Sequence, residues 1–307
     1  CKDTMLKADW KTGFKIVVAA AVAAMTLKTF LVTSCFIPSS GMENSLYQGE
    51  GVLVEKWSYG PRVPFPSVFG YHRISSLQAK KGDIMLFNNP SPSAVNTAVE
   101  RRNVFIGRCL GTPGDTMMLN HELMNTGCVV FSPDSKLLYT YPASKEDSLL
   151  AVLEALGITN NRLISYTNEG DYIRSFSHYE YYLISQKAGN ILLRPLNDDD
   201  SQDVHPFIVP AKRKSVKIYP WNVVLMANTI FCHEGHSTAV KNDTLWVDGK
   251  RTDAYTFSKD YYWVSSNNPV NLVDSRLFGF VPEDCIIGKA WRVWFTTRKG
   301  RLGQCVQ

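Results

Sequence analysis

The fold is decided by the segment FIGRCLGTPGD at residues 105–115. Its first residues continue a strand candidate, VFI at 104–106, and its last residues are a cluster of Gly, Thr, Pro and Asp. After residue 37 the whole chain repeats this pattern, with short runs rich in Val, Ile, Phe, Tyr and Trp separated by Gly, Pro, Asn and Asp. Such an alternation of residue types is typical of β-strands joined by turns. The sequence therefore predicts a mostly β fold.

Local patterns divide the chain further. The better strand candidates lie at 52–57, 83–87, 104–106, 244–247 and 287–294. Asp248-Gly249 predicts a hairpin turn directly after the fourth of them, and apolar residues at helical spacing over 148–156, closed by Gly157, predict one helix. The polar, Tyr-rich region 121–221 is interpreted as an inserted subdomain, which leaves 35–120 and 222–307 as the β core.

The amino-terminal part predicts a membrane anchor. Residues 14–37 are almost wholly apolar or small, with Lys28 as an interruption. A bilayer core of about 30 Å needs roughly 20 helical residues, so we expect Trp10 to Leu27 to cross while Lys15 and Lys28 reach the two interfaces. The lysines that precede the stretch place the amino terminus in the cytoplasm and the β core outside the inner membrane. The alternatives are a buried helix or a cleaved export signal, and residues 1–34 form the tail and anchor.

Composition and charge exclude several classes of protein. The chain has 307 residues, 45% of them hydrophobic and 20% charged, which argues against disorder. Its net charge of +5 is mild, and basic residues are dispersed apart from short runs such as 298–301, so nucleic acid is not an expected partner. The 7 cysteines are scattered, and the cluster CHEGH at 232–236 lacks the spacing of a zinc site. We predict a turn between two strands there, and neither a metal nor a cofactor.

Four segments in order resemble the signature boxes of bacterial type I signal peptidases. They are FIPSSGMENSL at 36–46, KGDIMLF at 81–87, FIGRCLGTPGD at 105–115 and DSRLFGFVPE at 274–283. The segment YTFSKDYYW at 255–263 is similar to the Bacteroidetes branch of that family. The resemblance implies a signal-peptidase-like antiparallel β-sheet core, and it implies a serine endopeptidase that processes exported preproteins.

The resemblance also places the catalytic positions, and both are occupied by glycine. The family uses a serine hydroxyl as nucleophile and a neutral lysine amine as general base. The nucleophile position falls on Gly41 and the general-base position on Gly107, so no catalytic group is intact. Ser39 matches the oxyanion-hole position. Ser40 is a weak alternative nucleophile, because adjacent side chains of an extended segment point to opposite faces and Ser40 should face away from the cleft.

What remains is a site for recognition. In the family the signal peptide binds as an extended strand between the first and third boxes. The pocket positions map to Cys35, Ile37, Leu86 and Ile106, although these are equally interpreted as core residues. Glycine at 41 and 107 should enlarge the cleft. The segment SNNP at 266–269 departs from the family's signature before the fourth box. Asp274 and Arg276 are kept, and we expect them to form a structural ion pair.

Three functions stay open. The first is a non-catalytic relative of signal peptidase that binds an extended exported segment or a partner at the membrane. The second is an active signal peptidase, cleaving after Ala-x-Ala, with a displaced nucleophile. The third is a structural or assembly subunit with a vestigial cleft. Expected partners are the lipid bilayer, signal peptides or exported preproteins, and an active paralogue or another membrane subunit.

Overall fold

A computed structural model of the chain describes residues 2–63, 68, 70–74, 78–90, 97–120, 123, 135–159, 161–188, 193–196, 204–270 and 273–306, with side chains in the first helix at 10, 12–26, 28 and 30. The helices are α1 (Lys2–Phe30), α2 (Glu146–Leu156), α3 (His178–Ala188), α4 (Val223–Thr229) and α5 (Ser275–Phe278). The strands are β1 (Val32–Phe36), β2 (Gly51–Glu55), β3 (Ile84–Asn88), β4 (Val104–Gly111), β5 (Thr116–Leu119), β6 (Lys136–Tyr141), β7 (Ser165–Tyr166), β8 (Tyr172–Ser177), β9 (Arg194–Pro195), β10 (His205–Ile208), β11 (Ser215–Lys217), β12 (Thr238–Lys241), β13 (Thr244–Val247), β14 (Lys250–Arg251), β15 (Ala254–Thr256), β16 (Tyr261–Ser265), β17 (Val281–Pro282) and β18 (Ile286–Phe295).

The largest sheet carries the predicted core. Its 7 strands lie in the order β1-β2-β18-β3-β4-β16-β17, and every neighbouring pair is antiparallel. Strands far apart in sequence meet here, since β18 lies between β2 and β3. One set of apolar side chains from β2, β3 and β18 forms a buried cluster that includes Val52, Val54, Ile84, Leu86 and Ala290. The prediction of a mostly β, antiparallel fold is confirmed.

A second group of elements lies within the region predicted to be inserted. Strands β7-β8-β6-β9 form a sheet of 4 strands, and α2 and α3 pack beside it around Tyr139, Leu149, Leu153 and Phe176. Helix α2 covers the predicted helix and ends where predicted, at Gly157 in the left-handed conformation that glycine adopts readily. The boundaries 121–221 stay a prediction. Strands β10 and β11, from the end of that region, pair with β5 and β15.

The predicted membrane-spanning helix is not supported. Helix α1 forms over 29 residues, yet among the residues that were described no helix combines the length and apolarity that a bilayer crossing requires. Polar and charged side chains, Thr12, Lys15 and Lys28, lie within and beside its apolar run. Most of the apolar side chains described in this helix, such as Trp10, Val17 and Met25, are exposed, so α1 is not the buried helix that was the alternative.

Two local predictions have different outcomes. Asp248 and Gly249, with φ of 48° and 77°, form the tight turn between β13 and β14, as predicted. The turn predicted at 232–236 between two strands is wrong, because Ile230–Glu234 continues α4 as a single π-helical turn and Gly235 ends it. Among the described residues no group of three or more His, Cys, Asp or Glu side chains is arranged to hold a metal ion.

Candidate functional site

The first motif leaves the sheet in a short turn that presents Gly41. Strand β1 ends at Phe36, and a 3-10 turn over Ser40–Met42 follows. The hydroxyl of Ser39 accepts a hydrogen bond from the Gly41 amide at 3.4 Å, and the Asn268 amide donates to the Gly41 carbonyl at 3.0 Å. Gly41 is not among the residues with positive φ, so its backbone conformation does not require glycine. A serine at this position is therefore compatible with the turn.

The third motif holds Gly107 inside the sheet, where there is no room for a side chain. Gly107 pairs with Met85 across β3 and β4. A Cβ atom built on Gly107 would lie 2.5 Å from Cγ1 of Val264 and 3.3 Å from the carbonyl oxygen of Ser265. Val264 is completely buried. The expectation that glycine at 107 enlarges the cleft is wrong, because the isopropyl group of Val264 on β16 occupies that space.

A cavity of about 330 Å³ lies beside the turn. Its wall contains every predicted pocket residue, together with the oxyanion-hole and nucleophile positions: Cys35, Ile37, Ser39, Gly41, Leu86 and Ile106. Sequence analysis missed the residues that complete the wall, which are Phe36, Pro38, Met42, Val104, Phe105, Ser266 and Val273. Ile37 and Leu86 are buried and Ile106 is partly exposed. We name this cavity the cleft.

The cleft is apolar and bordered by strand edges. Burial raises the pKa of the Cys35 thiol to about 11, so the thiol is neutral at physiological pH. Strand β1 is the end strand of its sheet. On β4, residues 104–106 pair with β3 on one side, whereas the described pairing with β16 begins at Arg108. Unpaired backbone groups along such edges are a template for an added strand.

Ser40 lies on the other side of the turn. It lines a second cavity, together with Glu43, Asn268 and others, and it is not part of the wall of the cleft. The prediction relied on an extended segment, whereas Ser40 and Gly41 lie in a 3-10 turn, so the alternation of side chains in a strand does not explain this placement.

Asp274 and Arg276 meet as a buried ion pair. Asp274 caps α5 by accepting the Arg276 amide at 3.0 Å, and the Arg276 Nε donates to the same oxygen at 3.0 Å. The hydroxyl of Ser266 donates to the other carboxylate oxygen at 2.7 Å. Burial raises the pKa of the Asp274 carboxyl, but the hydrogen bonds and charge of Arg276 and the hydrogen bonds of Ser266 outweigh it, so the pKa is lowered. The pair therefore fixes segment 266–268 against the cleft.

Sequence reasoning missed a second buried ion pair at the turn. Nζ of Lys136, at the start of β6, donates to Oε2 of Glu43 at 2.9 Å, and the side chain of Lys136 is fully buried. The backbone amide of Lys136 also donates to the Asn267 carbonyl at 2.7 Å. Nothing in the local sequence signals this contact, because it joins the second sheet to the first motif. In this arrangement Nζ of Lys136 donates to the carboxylate of Glu43, whereas the lysine of a Ser/Lys peptidase must act as a neutral base.

Sequence comparisons with known proteins give matches to signal peptidases. Residues 10–154 match the family described as "Signal peptidase, peptidase S26". The chain is similar to signal peptidase I of Buchnera aphidicola subsp. Baizongia pistaciae, with 24% identity over 89% of this chain and 73% of that protein. It is similar to signal peptidase I of Helicobacter pylori, with 22% identity over 91% of this chain and 80% of that protein. The match to signal peptidase I of Pseudomonas aeruginosa has a higher identity over a shorter alignment, with 32% identity over 39% of this chain and 37% of that protein.

The chain is thus similar to signal peptidase I over most of its length. The likeness to signal peptidase I extends over the turn, the cleft and the buried ion pair at the fourth motif. Gly41 and Gly107, at which the sequence resemblance predicts the nucleophile and the general base, carry no oxygen or nitrogen in their side chains.

Proposed function

We propose that this chain is a non-catalytic relative of signal peptidase I that binds an extended segment of an exported protein in the cleft. One observation carries the proposal: Val264 fills the place of a side chain at position 107. The packing of the core therefore leaves no space for a lysine side chain at the position where the sequence resemblance predicts the general base, and this supports the proposal. Loss of one member of a catalytic pair already costs several orders of magnitude in rate.

The cleft supports binding in two ways. Its apolar wall accepts small side chains, and the edges of β1 and of residues 104–106 of β4 offer backbone hydrogen bonds. An extended segment entering between them gains a ladder of such bonds, and alternate side chains point into the cavity.

A peptide-binding measurement tests the proposal. We expect a fluorescent peptide with an Ala-x-Ala segment to bind the full chain, and I106E to weaken binding at least about tenfold, because a charge in an apolar pocket lacks partners. The control is V240E, which places the same charge on an exposed valine of β12. Binding that survives I106E, or that V240E weakens equally, refutes cleft binding.

An assay for cleavage of a preprotein by the purified chain tests whether the protein is non-catalytic. We expect no product. If product forms and S40A abolishes it, the active alternative with a displaced nucleophile is correct, and K136M then shows whether Lys136 takes part. If partners purify with the chain equally well from wild type and from I106E, the assembly role replaces cleft binding.

The proposal places the cleft outside the inner membrane, as the family resemblance implies. Cys305 is exposed, so its labelling in intact spheroplasts by a membrane-impermeant maleimide reports the side of the membrane. We expect labelling, and weaker labelling in C305S, in which the partly exposed Cys35 and Cys232 remain. Labelling only after lysis contradicts this location.

A further inference from the structure

Lys136, the first residue of β6, contacts the turn that forms part of the cleft wall. It belongs to the second sheet, where it pairs with Ser177 of β8. Its side chain is fully buried and pairs with Glu43, directly after the turn at Ser40–Met42. We propose that Lys136 is a positioning residue for the cleft, through which the second sheet controls the affinity for an extended segment. This inference rests on the proposed function and adds the second sheet to the peptide-binding site.

Hydrogen bonds from Lys136 hold the turn from two directions. Its Nζ donates to Oε2 of Glu43 at 2.9 Å, and its backbone amide donates to the Asn267 carbonyl at 2.7 Å. The side-chain amide of Asn267 then donates to the Glu43 carbonyl at 3.0 Å. These bonds form a closed ring that joins the second sheet, the end of the turn and the segment that follows β16.

The ring of hydrogen bonds continues to the part of the turn that lines the cleft. The Asn268 amide, next in the chain after Asn267, donates to the Gly41 carbonyl at 3.0 Å. Gly41 and Met42 both belong to the wall of the cleft. A displacement of Lys136 is therefore transmitted to this wall through adjacent hydrogen bonds and one stretch of backbone.

The composition of the turn explains why such a brace affects binding. The turn contains Gly41, and glycine has more conformational freedom to lose than any other residue. Its own hydrogen bond, from the Glu43 amide to the Ser40 carbonyl, is 3.1 Å long. A flexible wall loses entropy when a peptide orders it, whereas a braced wall is ordered beforehand. We therefore expect the braced turn to bind a peptide more tightly than the same turn without its brace.

The chemistry of the contact also favours a role in positioning. Burial of an ion pair costs desolvation, so a buried pair usually adds little stability compared with apolar side chains of similar size. Its charge-assisted hydrogen bonds are directional and favour one geometry. Oε2 of Glu43 accepts from Nζ of Lys136 at 2.9 Å and from Nδ2 of Asn268 at 3.3 Å. These two donors define where the residue after the turn lies.

A double-mutant cycle on peptide affinity tests the inference. With the fluorescent Ala-x-Ala peptide and the full chain, we expect K136M and E43Q each to weaken binding about threefold or more. K136M/E43Q should bind no more weakly than K136M, because both changes break the same contact. The matched control is R174M, which breaks the pair of Arg174 with Glu146 of α2 at 2.5 Å and should leave the affinity unchanged. Circular dichroism checks folding, and if K136M does not fold, E43Q compared with R174M decides.

Hydrogen exchange distinguishes failure of this inference from failure of the proposed function. If the wild type does not bind the peptide, the proposed function fails, and amide exchange over 36–46 and 266–270 decides whether Lys136 positions the turn. We expect faster exchange there in K136M and E43Q than in R174M or wild type. The inference is overturned if this exchange is unchanged, if K136M and E43Q bind the peptide as wild type does or weaken binding additively, or if R174M weakens it as much.

Discussion

Replacement of Gly107 by alanine measures how tightly Val264 packs against position 107, where the sequence resemblance predicts the catalytic lysine. The new Cβ would lie 2.5 Å from Cγ1 of Val264, whereas carbon atoms in contact normally lie about 3.5–4.0 Å apart. The two groups must separate by roughly 1 Å inside a buried cluster, which is an overpacking change of about 1–3 kcal/mol in the free energy of unfolding. We expect G107A to be destabilising by that amount.

The companion variant V264A separates crowding from other effects. Alone it removes two buried methyl groups, which costs about 1.6 kcal/mol from transfer plus a smaller amount for the void. In G107A/V264A the added methyl group enters the space that valine leaves. The double variant should therefore be more stable than the sum of the two single effects predicts, by about 1–2 kcal/mol.

Urea unfolding followed by tryptophan fluorescence provides the assay, because Trp263 is buried next to Val264 in sequence. The control is G13A, since a Cβ at Gly13 meets nothing within 4 Å; this change should be neutral or slightly stabilising. If G107A is as stable as wild type, or if the effects of G107A and V264A simply add, Val264 does not fill the space beside Gly107.

Three further predictions follow from the site. Restoring both family groups in G41S/G107K should leave preprotein cleavage undetectable, because the lysine has no space; cleavage in that variant would contradict the packing argument. The folded-state pKa of Asp274 is lowered, so the carboxylate contributes stability above the unfolded pKa near 3.8 that is lost as the pH falls further; unfolding measured from pH 5 to 2 should be less steep in D274N than in wild type. K136M leaves Glu43 charged and without its ammonium partner, a loss of about 3–5 kcal/mol, and thermal unfolding of K136M/E43Q should show a smaller loss; equal losses would mean that the ion pair is not the cause.

Local sequence predicted those parts of the fold that short-range chemistry controls. The strand candidates formed strands, and α2 ended at Gly157 because glycine adopts the left-handed conformation that the cap requires. The turn predicted at 232–236 was wrong, because a helix that begins at Val223 continues through it. A helix in a protein is stabilised mainly by tertiary packing, and the local sequence pattern does not reveal that packing.

The residue types at positions 41 and 107, the order of the motifs and the β pattern are properties of the sequence alone, because each depends on neighbours along the chain. Tertiary structure decided the rest: that Val264 fills the space beside Gly107, that Ser40 and Gly41 line different cavities, and that Lys136 reaches Glu43. These contacts join residues distant in sequence. Their distances are set by how the sheets pack, and no local pattern of residues encodes them.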